Sequence, residues 1–175
     1  MAEKGGSINP ALRLLSELDA LGQKGFKYLV IGGTASVLYG VKRATFDIDI
    51  GIAASSGKLD LLLGMLKRLG YRSIVDPSTG EQIASINEVD GQMLRQMASF
   101  GAKNGHQVDI LLIGDEDFEF MWKYKVEVRF GDVAIPIPTL LDLIRMKERS
   151  SRPVDIEDVK QLKHILRTGK GRKKD

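Results

Sequence analysis

At the start of the chain, apolar residues recur with the period of a helix and then gather into a short buried segment. Asn9 and Pro10 are typical of a helix start, an N-cap residue followed by proline at the first helical position. Leucines follow at helical spacing: Leu12, Leu15, Leu18 and Leu21. The pattern predicts a helix that ends near Gly25, a buried strand over 26–31 and a short helix over 34–39.

The next segment alternates between apolar and polar positions, which predicts a half-buried strand over 46–52. One face carries the apolar side chains Phe46, Ile48, Ile50 and Ile52. The other face carries Thr45, Asp47, Asp49 and Gly51. The pattern therefore predicts an apolar side that packs on the core and a polar side with two carboxylates.

The pattern in the middle of the chain predicts further helices and strands. These elements are a helix over 58–69, a strand over 71–75, and a segment over 81–94 for which helix is favoured over strand. Strand-like runs over 97–102 and 106–113 flank Asn104-Gly105, and Asn-Gly in this position is a strong hairpin signal. We expect these two runs to pair as antiparallel strands.

The last third of the chain predicts a second hairpin and two helices. Runs over 125–130 and 133–137 form the hairpin, and Thr139 caps a helix with Asp142 at the capping-box position. Pro153 opens a last helix that reaches about residue 167. Four aromatic residues before the hairpin are expected to cover the core: Phe118, Phe120, Trp122 and Tyr124.

Together these elements predict an α/β (α+β) fold, with a small mixed, mostly antiparallel sheet flanked by helices and a C-terminal helical pair. A chain of 175 residues is long enough to bury one proper core. The expected division is a core over 1–138, a helical pair over 139–168 packed on it, and a basic disordered tail over 169–175.

Composition excludes several classes of function. The sequence has no cysteine, so it has no disulfide framework, thiolate chemistry or zinc–sulfur site. The net charge of +3 is mild, and much of it lies at 170–174, either as a solvated terminus or as a phosphate-seeking arm for RNA. No apolar run approaches the ~20 residues that span a bilayer, and the first residues lack a signal core. We expect no membrane partner and a cytoplasmic location.

A double-glycine turn and the carboxylate strand suggest the chemistry. Gly32-Gly33 lies between a predicted strand and helix, where backbone N–H groups and the helix dipole favour anions. Asp47 and Asp49 share one strand face, about 7 Å apart, and Mg²⁺ binds such carboxylates together with substrate phosphates. The pattern predicts chemistry on a nucleoside triphosphate. The alternatives are tight strand–helix packing for the glycines and a solvent-facing strand edge for the acids.

Four further charged residues lie at apolar or inward-facing positions of the pattern. Asp109 lies inside the apolar run 106–113, where an acid is costly unless it binds a metal or pairs with a cation such as arginine. Lys147 shares the apolar stripe of its predicted helix, so it either reaches to water or points into a cleft. Asp155 lies on the packed side of the last helix, and Asp158 also faces inward. A buried ion pair of Lys147 with Asp155 or Asp158 is the structural alternative to a functional role.

The order of these motifs resembles that of the DNA polymerase β-like nucleotidyltransferase superfamily. The motif is carried by Gly32-Gly33-Thr34 … Arg43-Ala-Thr45-Phe-Asp47-Ile-Asp49, with Asp109 as the third carboxylate. The resemblance covers roughly residues 26–166. The Gly-Gly branch with an Arg-x-Thr-x-Asp-x-Asp strand includes AbiEii-type toxins of bacterial toxin–antitoxin systems and many small bacterial nucleotidyltransferase-like proteins.

The resemblance implies a role for each matching residue. The catalytic and metal-binding carboxylates would be Asp47, Asp49 and Asp109. The nucleotide-binding residues would be Gly32, Gly33, Thr34, Arg43 and Thr45. Within this set Thr34 would supply the hydroxyl that many members carry as Gly-Ser, and Arg43 would steer the triphosphate unless it pairs with Asp47.

The segment Ile144-Arg-Met-Lys147 … Arg152-Pro153-Val-Asp155-Ile-Glu-Asp158 resembles the AbiEii-type signature. The resemblance implies that Lys147 and Asp155 join the catalytic residues. Lys147 would contact phosphate, and Asp155 would orient it or support the metal.

The leading hypothesis is a Mg²⁺- or Mn²⁺-dependent nucleotidyltransferase. It would move a nucleoside monophosphate from a nucleoside triphosphate to a hydroxyl of tRNA, a protein or a small molecule. One alternative is a catalytically silent member of the fold that binds nucleotide or a partner chain. Another is a toxin that a partner antitoxin protein silences.

Overall fold

The computed structural model describes residues 9–76, 79, 81–90, 99–102 and 107–169. Several sequence predictions lie partly outside these residues, namely at residues 1–8, 91–94, 97–98, the Asn104-Gly105 turn, residue 106, and residues 170–175 of the basic tail. Within the described part, no helix is both long enough and apolar enough to cross a membrane.

The strands form a six-stranded sheet and a separate hairpin. The six strands are β1 (Leu29–Ile31), β2 (Asp47–Ala53), β3 (Tyr71–Val75), β4 (Gln82–Ser85), β5 (Ser99–Ala102) and β6 (Gln107–Ile113). Their order across the sheet is β1-β2-β6-β5-β3-β4, and β2 and β6 are parallel whereas the other neighbours are antiparallel. The predicted hairpin is confirmed as β7 (Val126–Phe130) and β8 (Val133–Ile137). This mixed, mostly antiparallel sheet confirms the predicted fold class.

The helices in the described residues are α1 (Pro10–Gln23), α2 (Gly32–Tyr39), α3 (Leu59–Leu69), α4 (Asp115–Tyr124), α5 (Leu140–Glu148) and α6 (Pro153–Thr168). Two predicted N-caps are confirmed: Asn9 Oδ1 accepts the Ala11 N–H at 2.9 Å, and Thr139 Oγ1 accepts the Asp142 N–H at 3.1 Å. Helix α4 has no counterpart among the predicted elements. Its first turn is acidic, which favours a helix start because of the helix dipole.

Within the segment over 81–94, for which helix was favoured, residues 82–88 form a strand and a short 3-10 turn, so the prediction is wrong for this described part. Residues 82–85 form β4, in which Ser85 lies opposite Ser73 and Ala84 opposite Ile74 of β3. A short 3-10 turn over Ile86–Glu88 follows, with a capping box between Ser85 and Glu88. Pairing with β3 supplies the backbone hydrogen bonds of this segment, and this tertiary contact outweighs the local pattern.

Three aromatic residues are exposed where the sequence predicts burial. Phe46 is 89% exposed because β2 begins at Asp47, so the alternating pattern runs one residue past the strand. Phe120 and Tyr124 on α4 are about half exposed, and their rings pack on each other. Phe118 is fully buried as predicted, and Trp122 stacks on it.

The two faces of the sheet carry different kinds of side chain. The apolar face of β2 packs into the main core together with α1 and α3, and α5 and α6 add Leu143 and Leu162 to that core. The opposite face carries the carboxylates and a smaller cluster of Leu29, Ile31, Phe118 and Met121. Partly buried residues near the carboxyl ends of β2 and β6 pack against this cluster, so α4 covers that end of the carboxylate face.

Candidate active site

Three aspartates meet on two parallel strands at the centre of the sheet. Asp47 and Asp49 lie two residues apart on β2, and Asp49 is the register partner of Asp109 on β6. Because the strands are parallel and side chains alternate, all three carboxylates project from one face. One oxygen of each lies within 4.8 Å of the others, so the group can hold a metal ion.

The carboxylates crowd negative charge into a partly buried place. Burial raises the pKa of Asp49 to about 6, and the charges of Asp47 and Asp109 contribute to the rise. A hydrogen bond from the Gly33 N–H and the charge of Lys147 act in the opposite direction. A divalent cation would relieve this repulsion, and three carboxylate oxygens are the ligand type that Mg²⁺ and Mn²⁺ prefer. The residues therefore fit such an ion.

The glycine turn lies directly against these carboxylates. Helix α2 starts at Gly32 without a side-chain cap, and the Gly33 N–H donates to Asp49 Oδ2 at 3.2 Å. Gly32 has φ 61°, and a Cβ there would overlap the Asp49 carboxylate. A Cβ on Gly33 would lie 2.5 Å from Arg43 Nη2 and 2.9 Å from Thr45 Oγ1. Both positions need glycine because charged and polar side chains pass over the turn.

Two threonines fix the start of the carboxylate strand. The Thr34 hydroxyl donates to the backbone oxygen of Asp47 at 3.1 Å. The Thr45 hydroxyl is 3.0 Å from Asp47 Oδ1 and 3.3 Å from the Asp47 backbone oxygen. These bonds link α2 to β2 and hold the Asp47 carboxylate in place.

A buried ion-pair network joins the turn to the last two helices. Arg43 donates to both oxygens of Asp158, from Nε at 2.9 Å and from Nη2 at 3.2 Å. Lys147 Nζ lies 2.7 Å from Asp155 Oδ1 and 2.8 Å from Asp158 Oδ2. Lys147, Asp155 and Asp158 are at most 5% exposed. Asp158 thus bridges Lys147 and the arginine that passes over Gly33.

Asp155 is held by three donors. Lys147 Nζ and Ser150 Oγ lie 2.7 Å from its oxygens, and Arg152 Nε lies at 2.6 Å. Burial alone would raise the pKa of Asp155, but the bonds from Arg152, Lys147 and Ser150 outweigh it and lower the pKa to about 2. Asp155 is therefore ionised throughout the physiological range and fixed in orientation.

Among solved structures, the chain is similar to a crystal structure of the lincosamide antibiotic adenylyltransferase LnuA with lincomycin bound. The TM-score is 0.57 over 91% of this chain and 98% of that chain, at 19% sequence identity. The chain therefore has a nucleotidyltransferase fold.

A second similar structure is that of an antigenic nucleotidyltransferase-like protein from Paracoccidioides brasiliensis. Its TM-score is 0.48 over 85% of this chain and 74% of that chain, at 16% identity. At 19% identity, the similarity to the adenylyltransferase concerns the fold alone. No protein-family model matches the sequence, and no curated protein sequence does.

Within the nucleotidyltransferase fold, the predicted site residues gather around the centre of the sheet. The carboxylates, the two glycines, Thr34 and Thr45 contact one another directly, as described above. The ion pairs that were considered as alternatives to functional roles are present in part. Lys147 pairs with both Asp155 and Asp158. Arg43 also forms an ion pair, but with Asp158 in place of Asp47. The predicted roles of these residues in nucleotide binding and catalysis stay predictions.

Arg152 was not among the predicted site residues. It donates to Asp155 from a largely exposed side chain, and that hydrogen bond raises the pKa of Arg152. The charges of Asp49 and Asp47 raise it further, which places its guanidinium within electrostatic reach of the carboxylates. Its position in the sequence could have indicated this pairing. Arg152 lies three residues before Asp155, and side chains at this spacing meet at a helix start.

Proposed function

We propose that this chain is a nucleotidyltransferase that requires Mg²⁺ or Mn²⁺ and moves a nucleoside monophosphate from a nucleoside triphosphate to a hydroxyl. The observation that carries the proposal is the convergence of Asp47, Asp49 and Asp109 within 4.8 Å, directly beside the Gly32-Gly33 turn. A cation site next to a helix start that favours anions suits a metal-bound triphosphate. The nucleotidyltransferase fold supports the same reading.

The proposal gives each part of the site a task. The three aspartates would hold the cation, which when bound neutralises phosphate charge and stabilises the charge that develops during transfer. The N–H groups at the start of α2 would face the triphosphate. Arg43 and Lys147 would contribute positive charge next to it while the network of Asp155 and Asp158 keeps them in place.

In the proposed reaction the acceptor hydroxyl oxygen attacks the α-phosphorus. A new oxygen–phosphorus bond forms, the bond from the α-phosphorus to the bridging oxygen breaks, and pyrophosphate leaves with that electron pair. The hydroxyl proton passes to a carboxylate or to water. Asp109 suits this role, because β6 lies on the side of β2 away from β1 and the glycine turn. The protein contributes mainly position and charge, as phosphoryl-type transfer requires.

The resemblance to AbiEii-type toxins favours tRNA or a protein hydroxyl as the acceptor, together with a partner antitoxin protein. A small-molecule acceptor is the other choice, and the similarity to an adenylyltransferase of lincosamide antibiotics favours it. The transfer assay therefore offers all three acceptor classes: RNA, protein and small molecules.

A catalytically silent, nucleotide-binding member of the same fold is a second candidate. The observation that favours it is that Arg43 and Lys147 already have carboxylate partners within the protein. Arg43 already gives two hydrogen bonds to Asp158, and the Lys147 ammonium already contacts two carboxylates. A silent member would bind nucleotide with metal but transfer nothing.

A transfer assay tests the proposal. Protein is incubated with each α-labelled nucleoside triphosphate, Mg²⁺ or Mn²⁺, and separately with total RNA, a protein lysate and a small-molecule extract. Asp49→Asn is the site variant, and Asp132→Asn, an exposed acid in the β7–β8 turn, is the matched control. We expect labelled product with wild type and Asp132→Asn, and a loss of about 10²-fold or more with Asp49→Asn.

Equal turnover by Asp49→Asn and wild type would contradict the proposal. Metal-dependent nucleotide binding without product in any fraction would favour the silent alternative. The fraction that takes the label names the acceptor class.

A further inference from the structure

A cleft opens on the same face of the sheet as the carboxylates. It lies between the end of β6, α4 and α5, and has a volume of about 540 Å³. Small-molecule sites usually fall between roughly 300 and 1,000 Å³. Its lining is largely apolar and includes Leu111, Ile113, Phe120 and Met146. We call it the β6–α4 cleft.

The alternation of β6 connects this cleft to the carboxylates. Asp109, Leu111 and Ile113 project from the same face, and Leu111 is one same-face step, about 7 Å, from Asp109. The glycine turn lies on the other side, because β1 is next to β2 and β6 follows beyond it. The carboxylates therefore separate the turn from the cleft.

The positive and negative charges that line the cleft are equal in number. It has two arginines, Arg145 and Arg149, and two acids, Asp117 and Asp142. Arg145 pairs with Asp142 at 3.3 Å. In the described part of the chain, neither Asp117 nor Arg149 forms a side-chain ion pair. A neutral lining does not concentrate a polyanion such as a triphosphate or an RNA backbone, so the charges favour a net-neutral occupant with one positive and one negative contact.

The apolar surface of the cleft is accessible. Leu111 is 48% exposed and Phe120 is 53% exposed, and both line the cleft. Large apolar side chains that face a concave, charge-balanced cleft are typical of sites that bind the body of a small organic molecule.

We infer that the β6–α4 cleft seats the acceptor, and that the acceptor is a small, amphipathic, net-neutral molecule whose hydroxyl reaches Asp109. This inference rests on the proposed function, since it names the acceptor class for that reaction. The hydroxyl oxygen would attack the α-phosphorus from the Asp109 side, and its proton would leave to that carboxylate or to water. Pyrophosphate would depart with the electron pair of the broken phosphorus–oxygen bond.

The test combines a product search with one cleft variant. Wild type is incubated with each α-labelled nucleoside triphosphate, Mg²⁺ and a metabolite extract freed of protein and nucleic acid, and in parallel with total RNA and with protein. New compounds are identified by mass as a metabolite plus a nucleoside monophosphate less one water. Leu111→Arg places a charge in the cleft mouth at an exposed strand position. Ile83→Arg is the matched control, since Ile83 is 56% exposed on β4 and does not line the cleft.

We expect a small-molecule product whose kcat/KM falls about 10-fold or more in Leu111→Arg and stays unchanged in Ile83→Arg. Calorimetry should give the same affinity for the magnesium-bound nucleotide in all three proteins. Label on RNA or protein would overturn the inference while the proposed function stands, and so would a small-molecule product unaffected by Leu111→Arg. Weaker nucleotide binding in Leu111→Arg would overturn it too, because the cleft would then hold the nucleoside. Transfer to no fraction by wild type would overturn both.

Discussion

At the scale of single residues, Asp49 shows how the site stores unfavourable charge. Its carboxylate is partly buried beside Asp47 and Asp109, and its pKa is raised from 3.8 to about 6. A folded-state pKa above the unfolded value lowers stability as the pH rises between these two values. In metal-free protein at neutral pH, ionised Asp49 therefore destabilises the fold by roughly 1–3 kcal/mol.

Asp49→Asn should make the metal-free protein more stable while it removes activity. We expect a gain of roughly 1–3 kcal/mol in the free energy of unfolding at pH 7, shrinking to nothing below about pH 4. Urea unfolding in the presence of a chelator, across this pH range, measures it. Asp132→Asn is the control, and a variant less stable than wild type at pH 7 would refute the charge account.

Gly33→Ala should weaken nucleotide binding through the side chains above the turn. A Cβ there would meet Arg43 Nη2 at 2.5 Å and Thr45 Oγ1 at 2.9 Å, so both must move. We expect a stability loss of about 1–3 kcal/mol and a measurable fall in affinity for the magnesium-bound nucleotide by calorimetry. Gly57→Ala is the matched control, since its Cβ would meet nothing within 4 Å. Equal affinity in both variants would contradict this role of the turn.

Residue patterns predicted the carboxylates better than the cations. Alternation alone places Asp47 and Asp49 on one face, and an acid inside an apolar run singles out Asp109; the structure brings all three together. The partner of Arg43 was not predictable in this way. Asp158 lies 115 residues further along the chain, and only the packing of α6 against α2 brings the two together.

At the scale of elements, α6 braces the site through its first two turns. Asp158 on this helix accepts bonds from Arg43 and Lys147 and is fully buried. Removing one partner from a buried ionic network leaves uncompensated charge, which typically costs 3–5 kcal/mol.

Asp158→Ala should therefore destabilise the protein by about 3–5 kcal/mol. Glu157→Ala, its exposed neighbour on the same helix, should change stability by less than about 1 kcal/mol. Urea unfolding of the two variants measures both values. A cost for Asp158→Ala as small as that for Glu157→Ala would mean that the network does not hold α6 to the site.

Asp155 gives the same helix a dependence on acid. Its pKa is lowered from 3.8 to about 2, so its stabilising contribution is complete above about pH 4 and is lost as the pH falls towards 2. We expect Asp155→Asn to cost about 2 kcal/mol at pH 6, and the difference from wild type to shrink between pH 4 and pH 2. Unfolding curves at these pH values test it. A difference that is constant with pH would show that charge is not the cause.

Local patterns predicted most elements but misassigned those that depend on distant partners. The caps at Asn9 and Thr139 mark α1 and α5 correctly, because capping is a local interaction. Strand β4 forms where helix was favoured, because β3 offers it an edge to pair with. Helix α4 was not assigned. It packs Phe118 and Met121 on the carboxylate face, and its half-exposed Phe120 departs from the predicted core pattern.

At the scale of the whole molecule, distant parts of the chain complete one site. The turn and two carboxylates come from β1, α2 and β2, the third carboxylate from β6, and the bracing charges from α5 and α6. The helical pair shares the main core with the sheet, so the cations and the carboxylates are positioned by the same packed interior. The sequence predicts a helical pair packed on a sheet, but the crossing of Arg43 and Asp158 follows only from the assembled fold.

The proposed function requires that the three aspartates and the glycine turn form one metal-dependent nucleotide site. Electron paramagnetic resonance of Mn²⁺ tests it most directly, because the signal of free aqueous Mn²⁺ falls as the ion binds. We expect Mn²⁺ binding by wild type and Asp132→Asn, tightened by a nucleoside triphosphate, and loss of binding in Asp49→Asn and Asp109→Asn. Undiminished Mn²⁺ and nucleotide binding in those two variants would show that the three aspartates do not form this site.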